Sequence, residues 1–431
     1  MLVIMLGLSR AVIFILEVRN FMKFPPKFLF VLFRLYAKFI AFVGLYLPFP
    51  KVKVLLDTDG RGELKAFFKA KRIKNPVIIT DKVILDLGLH KNMERLVREE
   101  GMKAHIFCEI EADPSFESVE KGVRFCRELE VDAVIAIGGG SVIDAAKVIN
   151  YCAKYNKKAK SVMGILRAYK KANPFIILPT TAGTGSEVTI AALISDKSQQ
   201  KKHLALSPFF LPDIAYLDKE LLRSLPKHMV AASGLDALTH AFEAYMSSIT
   251  SSYTRKNSLE AMKLIYENLE PAYASPDDMS AKEQMLIASH KAGLAFTRAN
   301  VGWVHAIAHQ LGAIYGINHG FANAVLLPKV VKFYEKELAP TKMAEIARFL
   351  DLAADFENDE KAARYFSNWI DALSVNLSIP DHFSELKEEK IKEIAKRAYL
   401  EVILTPYPVP KYFADITGLE DLILSCVLKL K

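Results

Sequence analysis

Two rhythms of apolar residues divide the chain. From about residue 51, short unbroken apolar runs end in polar or glycine-rich turns and alternate with stretches whose apolar positions recur at helical spacing. Residues 75–81, 131–137 and 174–178 read as buried strands, and residues 117–129 as a helix. Strands covered on both faces need continuous apolar runs, so this alternation predicts a parallel sheet flanked by helices. After about Leu225 the strand-like runs stop, and residues 231–246, 281–297 and 387–402 are helical in pattern. The expected organisation is an α/β domain over residues 51–225 and an all-helical domain over 226–431, with the boundary near Ser224-Leu225-Pro226. No internal repeat or low-complexity tract is visible.

Residues 1–50 follow neither rhythm. Two apolar runs flank Ser9-Arg10 and are too short to span a bilayer. After Phe24-Pro25-Pro26, residues 28–47 are interrupted only by Arg34 and Lys38. On a helix Lys27, Arg34 and Lys38 fall within about 40° of one another, and the other faces are apolar. That pattern predicts a basic amphipathic helix lying in a membrane interface. Recurrent basic residues and the lack of a small-residue cleavage site argue against a secretory signal. A helix packed on the catalytic body, a genuine membrane span and a mis-called translation start are the alternatives.

Composition sharpens this division. A chain of 431 residues can bury two cores, and 25% charged with 51% apolar residues is ordinary for a globular protein. Residues 1–53 hold eight Lys and Arg against Glu17 alone, so seven of the eight net positive charges sit there. The body is nearly neutral and offers no basic face for nucleic acid. Cys108, Cys126, Cys152 and Cys426 are scattered without a C-x-x-C pair, which fits a reducing compartment and indicates neither disulfides nor a thiolate zinc site.

Three groups of residues carry chemistry. In Ala136-Ile-Gly-Gly-Gly-Ser-Val-Ile-Asp-Ala-Ala-Lys147 a buried strand runs into three glycines and a helix start, where unpaired N–H groups suit a pyrophosphate. It is not the G-x-G-x-x-G fingerprint. Leu178-Pro-Thr-Thr-Ala-Gly-Thr-Gly-Ser-Glu-Val188 follows another strand, and its hydroxyls suit a ribose and an amide. In the helical half, Asp236 and His240 are four apart, as are His305 and His309, and His319 follows. A carboxylate with imidazoles is a divalent-metal shell. Spacing alone does not say which of His305, His309 and His319 are ligands.

In their order these motifs resemble the iron-containing alcohol dehydrogenase family. The resemblance runs from about Lys51 to the C-terminus through G-G-G-S-x-x-D-x-A-K, P-T-T-x-G-T-G-S-E, G-x-D-A-L-T-H-A-x-E-A-Y, H-A-x-A-H-x-L-G and H-G-x-x-N-A-x-L-L-P. The G-T-G-S-E block separates it from glycerol dehydrogenases, maleylacetate reductases and dehydroquinate synthases. The resemblance implies a Rossmann-like nucleotide-binding domain, then a helical metal-binding domain, and hydride transfer between NAD(P) and an alcohol or aldehyde. A dehydroquinate-synthase-like lyase and an inactive membrane-associated relative are the alternatives.

By that resemblance the metal ligands are Asp236, His240, His305 and His319. His309 is a histidine beside the substrate, able to move the proton. Gly138, Gly139, Gly140 and Ser141 would hold the pyrophosphate, Thr180, Thr181 and Thr184 the nicotinamide end, and Lys202 a ribose. Asp81 would bind the adenosine ribose and repel a 2′-phosphate, and Asp113 and Asp144 complete the cofactor set. The implied cofactors are NAD, with NADP the alternative, and Fe(II), with zinc the alternative. A homodimer is expected, cytoplasmic and peripheral on the inner face of a membrane through residues 1–50. Asp113 stands where asparagine is common, putting a donated hydrogen bond in doubt. Asn318 replaces the usual proline before the last ligand, which predicts a looser loop.

Overall fold

The computed structural model describes residue 35 and residues 49–199, 201–337, 340–384, 386–402 and 417–426. Apart from Leu35, the amphipathic helix expected over residues 28–47 therefore lies outside the described residues. Among those described, no helix is long and apolar enough to cross a membrane.

The chain divides into two compact units. One takes residues 49–180 and Ser186–Leu221, and the other takes Thr181–Gly185 and the described residues from Leu222 onward. The break at Leu221 and Leu222 falls just before Ser224-Leu225-Pro226. The grouping of the Thr181–Gly185 loop with the helical unit has no counterpart in the hydrophobic pattern.

Among the described residues the first unit holds nine strands: β1 (Lys53–Leu56), β2 (Pro76–Ile79), β3 (His105–Phe107), β4 (Ala133–Gly138), β5 (Gly164–Ile165), β6 (Phe175–Pro179), β7 (Ala191–Asp196), β8 (Lys201–Leu206) and β9 (Ile214–Leu217). Six form one sheet in the order β1-β9-β6-β4-β2-β3, with every pair parallel. The three strands read from the sequence are β2, β4 and β6, which lie side by side. Their side chains alternate between two cores: Val77, Val134 and Ile177 enter one, and Ile78, Ile135 and Ile176 the other. A strand buried on both faces has no polar side to show. β1 and β8 expose much of their length, so no apolar run marks them. β7 and β8 pair antiparallel in a second, small sheet with β5.

The helix expected over residues 117–129 runs Phe116–Glu128, started by Ser115, whose Oγ accepts from Ser118 N at 3.2 Å. In the second unit the helices Lys227–Met246, Ser252–Ala274 and Met279–Ala299 pack on one another. Lys227–Met246 is buried from Val230 to its end, which is why its sequence is apolar nearly all round. At Gly234 a β-carbon would lie 2.2 Å from Leu269 Cδ1, so only glycine allows this approach to the Ser252–Ala274 helix.

Candidate active site

The parallel sheet brings one group of expected residues together. β2, β4 and β6 are neighbours, and Asp81, the Gly138-Gly139-Gly140 turn and Thr180 follow their C-terminal ends. Ligands of open α/β sheets bind at such ends. Gly139 caps the helix Gly140–Tyr155 with extended backbone and no side-chain hydrogen bond. A β-carbon on Gly138 would lie 2.5 Å from Val142 Cβ, so the strand-to-helix corner has no room for a side chain. Thr180 is buried and its N–H donates to Gly138 O at 3.1 Å, tying the two turns together. Asp81 caps the short helix Lys82–Asp86, with Oδ1 accepting from Ile84 N at 2.8 Å. Lys82 turns to Asp86 at 3.2 Å.

Asp144 and Lys147 face inward. The Lys147 side chain is fully buried, and its Nζ reaches Ser186 Oγ and Thr189 Oγ1, both at 3.0 Å, and Ala191 O at 2.6 Å. Asp144 lies 3.4 Å from Nζ and accepts from Ser186 Oγ and from Leu193 N at 2.9 Å. Burial pushes the Lys147 ammonium below its ordinary pKa, and the Asp144 carboxylate opposes that. This buried network fastens the glycine-turn helix to the segment that follows the Thr181–Gly185 loop.

Asp113 and Lys202 pair with each other. Lys202 Nζ lies 3.1 Å from Asp113 Oδ1, and Ser195 Oγ donates to Asp113 Oδ2 at 2.7 Å. Both carboxylate oxygens thus accept, as a residue in place of asparagine must. Ser141 Oγ donates to Ala112 O, which holds that loop over the start of the Gly140–Tyr155 helix.

The helical unit gathers the second group. Asp236 and His240 share a face of the Lys227–Met246 helix, His305 comes from Trp303–Tyr315, and His319 begins His319–Glu337. Among the described residues, one ligand atom from each of Asp236, His240, His305 and His319 lies within 4.8 Å of the others. Asp236 Oδ1 stands 3.8 Å from His240 Nδ1 and 3.7 Å from Nε2 of both His305 and His319. Asn318 caps the helix that His319 begins, its Oδ1 accepting from Phe321 N at 3.2 Å.

The donors fit a divalent cation. His240 Nδ1 is buried and unpartnered and faces the cluster, 3.8 Å from Asp236 Oδ1. Burial pushes His240 down to about 3, against the pull of Asp236, so its imidazole is neutral at ordinary pH. Burial likewise holds His319 well below its ordinary value. Burial opposes ionisation of Asp236, but the surrounding imidazoles outweigh it and hold its carboxyl below the ordinary range, His305 being the one raised enough to stay protonated at neutral pH. Asn323 Nδ2 donates to Asp236 Oδ1 at 2.7 Å and lies 3.2 Å from Nε2 of both His305 and His319.

His309 stays outside the four. Its ring stacks on His319 with centroids 5.3 Å apart, and Nδ1 bonds to Glu401 Oε1 at 2.6 Å. The Thr181–Gly185 loop is held in the same unit: Gly185 N donates to Ser289 Oγ at 3.2 Å. With φ near +56°, a Gly185 β-carbon would lie 2.7 Å from Gly293 Cα. Thr181 and Thr184 are therefore placed by the helices.

Four residues at these sites escape a reading of spacing alone. Glu243 and Asn323 lie inside the motifs, one helical turn beyond His240 and His319, so their periodicity could have found them. Lys147 also lies inside a motif, but its burial is invisible there. Glu401 is remote from His309 in the chain and carries no signal.

A parallel sheet with a glycine turn, followed in the chain by a helical unit holding an Asp-His cluster, defines a class of nucleotide- and metal-using enzymes. Residues 51–219 match the iron-containing alcohol dehydrogenase model, and residues 230–419 match the C-terminal model of the Fe-containing alcohol dehydrogenase family. The chain belongs to the iron-containing alcohol dehydrogenase family. It is 34% identical over 363 residues to an NAD-dependent methanol dehydrogenase of Bacillus methanolicus, covering 83% of this chain and 95% of the relative. It is 33% identical over 354 residues to long-chain-alcohol dehydrogenase 1 of Geobacillus thermodenitrificans, covering 81% and 89%. The solved structure of a 1,3-propanediol oxidoreductase superposes with a TM-score of 0.81 at 29% identity, over 88% of this chain and 100% of the other. The chain is thus an alcohol dehydrogenase, and neither a lyase nor an inactive scaffold is favoured.

Proposed function

We propose that Asp236, His240, His305 and His319 hold Fe(II), with zinc the competing occupant, and that residues 51–225 bind NAD(H) while 226–431 carry the metal and the substrate. The convergence of four ligand atoms within 4.8 Å, with His240 Nδ1 buried and unpartnered, carries the metal assignment. Zinc binds nitrogen and oxygen donors more tightly than iron, so availability decides the occupant.

When bound, the metal would supply Lewis acidity that eases loss of the alcohol proton, and the nicotinamide would supply a hydride acceptor. The remaining work belongs to the chain. Gly138, Gly139, Gly140 and Ser141 bind the pyrophosphate at the helix start, and Asp81 takes the adenosine ribose through the oxygen that does not cap its helix. Thr180, Thr181 and Thr184 orient the nicotinamide end. Lys202 meets the ribose, with Asp113 steadying its ammonium. Asp144 acts through the loop it fastens, by way of Ser186 and Leu193. His309 takes the substrate proton toward solvent, oriented by Glu401.

Relatives named for methanol and for long-chain alcohols are similarly close, so likeness does not set the chain length of the substrate. The basic leader favours medium- or long-chain alcohols and aldehydes at an anionic membrane surface, with a homodimer as the working unit. The test is metal analysis of anaerobically purified protein, followed by an alcohol and aldehyde panel on NAD and NADP. Protein that binds no divalent ion yet turns over alcohols would overturn the metal assignment. A clear preference for NADP would overturn the role of Asp81.

A further inference from the structure

Three N–H groups converge on one buried carboxylate. Glu243 is fully buried on the Lys227–Met246 helix, one turn beyond His240. Its Oε1 accepts from Val304 N at 2.6 Å. Its Oε2 accepts from Gly302 N at 2.6 Å and meets His305 Nδ1 at 2.7 Å. Gly302 and Val304 bracket the start of the Trp303–Tyr315 helix, which has no side-chain cap from its own N-cap residue. Glu243 thus supplies the acceptors that this helix start lacks, and its negative charge faces the positive end of the helix.

The bond to His305 has a chemical consequence. A carboxylate already accepting two backbone N–H groups can only accept, so Nδ1 of His305 carries the proton. A neutral imidazole with its proton on Nδ1 keeps its lone pair on Nε2, the atom that faces Asp236 Oδ1 at 3.7 Å. Carboxylate, imidazole and metal in series fix both the tautomer and the plane of the ring.

We infer that Glu243 is the positioning residue of the metal centre, locking His305 in the tautomer that offers Nε2 and setting the helix that carries it. This rests on the reading that His305 is a ligand. Glutamine at this place keeps the size but loses an acceptor. Whichever way its amide is set, the NH₂ faces either Val304 N–H or the pair of Gly302 N–H and His305 Nδ1. The second setting moves the imidazole proton to Nε2, where it blocks coordination.

The test uses the full chain and zinc or cobalt(II) as probe, with affinity read by competition against a chelator. Glu243→Gln should weaken binding by about ten- to a hundredfold and shift the cobalt absorption bands, since lost outer partners cost that much affinity. Zinc held as tightly as by the unaltered chain would overturn the inference. Should the variant fail to fold, the zinc-loaded unaltered chain answers the same question through its imidazole ¹⁵N shifts. A protonated Nδ1 and a metal-bound Nε2 on His305 are expected, and the reverse tautomer overturns the role of Glu243. His305→Ala separates the two levels: if it binds zinc as tightly as the unaltered chain, the ligand set itself is wrong. If it loses zinc while Glu243→Gln keeps it, only the positioning role falls.

Discussion

His309 and Glu401 meet at 2.6 Å, the imidazole Nδ1 against Oε1, while Gln310 Nε2 holds the other carboxylate oxygen at 2.9 Å. Glu401 therefore fixes the plane of a ring that stacks on His319 without entering the four-atom cluster. Removing a proton carrier costs about 10²–10⁴ in rate. His309→Ala should lose turnover on that scale and keep its metal, whereas His240→Ala should lose both. Glu401→Gln should retain metal with a smaller loss of kcat. Metal content measured beside kcat decides: equal metal loss in His309→Ala and His240→Ala would make His309 a ligand.

Metal loading should strengthen as pH rises. Burial alone would push His305 down, but the carboxylates of Asp236 and Glu243 facing its two nitrogens outweigh this and raise it to about 9. In chelated protein that proton stabilises the fold fully below the ordinary value of 6.5, and the contribution is lost as pH climbs through about 9. A divalent ion needs the Nε2 lone pair and must displace the proton. Apparent zinc affinity should then rise by about tenfold per pH unit across that window, with one proton released per ion. An affinity that is flat over the same range would sink the argument.

Cofactor choice should turn on Asp81. The carboxylate oxygen that does not cap the helix should repel a 2′-phosphate, while Lys82 lies 3.2 Å from Asp86. Serine would keep the acceptor for Ile84 N and remove the charge, so Asp81→Ser separates the ribose role from the capping role. The ratio of kcat/KM on NADP to that on NAD should rise with little change in thermal midpoint. An unchanged ratio would show that other contacts choose the cofactor.

The Lys147 network should be costly to break. Lys147→Met leaves Ser186, Thr189 and Ala191 without their cation and Asp144 with one partner fewer. Removing one member of a buried ion pair costs about 3–5 kcal/mol. Denaturant unfolding should show a loss of that size, with KM for the cofactor rising as the loop loosens. A loss under about 1 kcal/mol would mean the network contributes only what surface pairs do.

What was legible in the sequence, and what was not, follows from the range of each interaction. β2, β4 and β6 could be read because burial on both faces forces an unbroken apolar run, and the motifs sit at the ends of β4 and β6. β1 and β8 are too exposed to leave an apolar run, and β3 is only three residues long. Asp236 with His240 was readable because one helix turn joins them. The pairings Glu401–His309, Lys202–Asp113 and Glu243–His305 join residues remote in the chain, and no local pattern encodes a contact made by tertiary packing. At Asn318 the loss of a proline gives no hint of the contact that asparagine makes, a cap on the helix that His319 begins.

The leader should decide where the enzyme works. Seven of the eight net positive charges lie in residues 1–53, interleaved with Phe and Leu, while the rest of the chain is nearly neutral. Each basic residue at an anionic surface contributes on the order of 1 kcal/mol, and the attraction fades within a Debye length of about 10 Å at moderate salt. Four or five such residues, on the order of 4–5 kcal/mol, together with an inserted apolar face suffice for stable attachment. The full chain should therefore sediment with vesicles rich in anionic lipid, less so as salt rises, and hardly at all with neutral vesicles. Deleting residues 1–49 should abolish sedimentation while leaving Asp236, His240, His305 and His319 and their metal in place. Activity of the shortened enzyme on short alcohols should be kept, and its advantage on long-chain alcohols presented in vesicles should disappear. If the full chain stays in the supernatant at low salt, the interfacial role is wrong. A leader packed on the catalytic body would instead reveal itself by a lowered thermal midpoint on deletion.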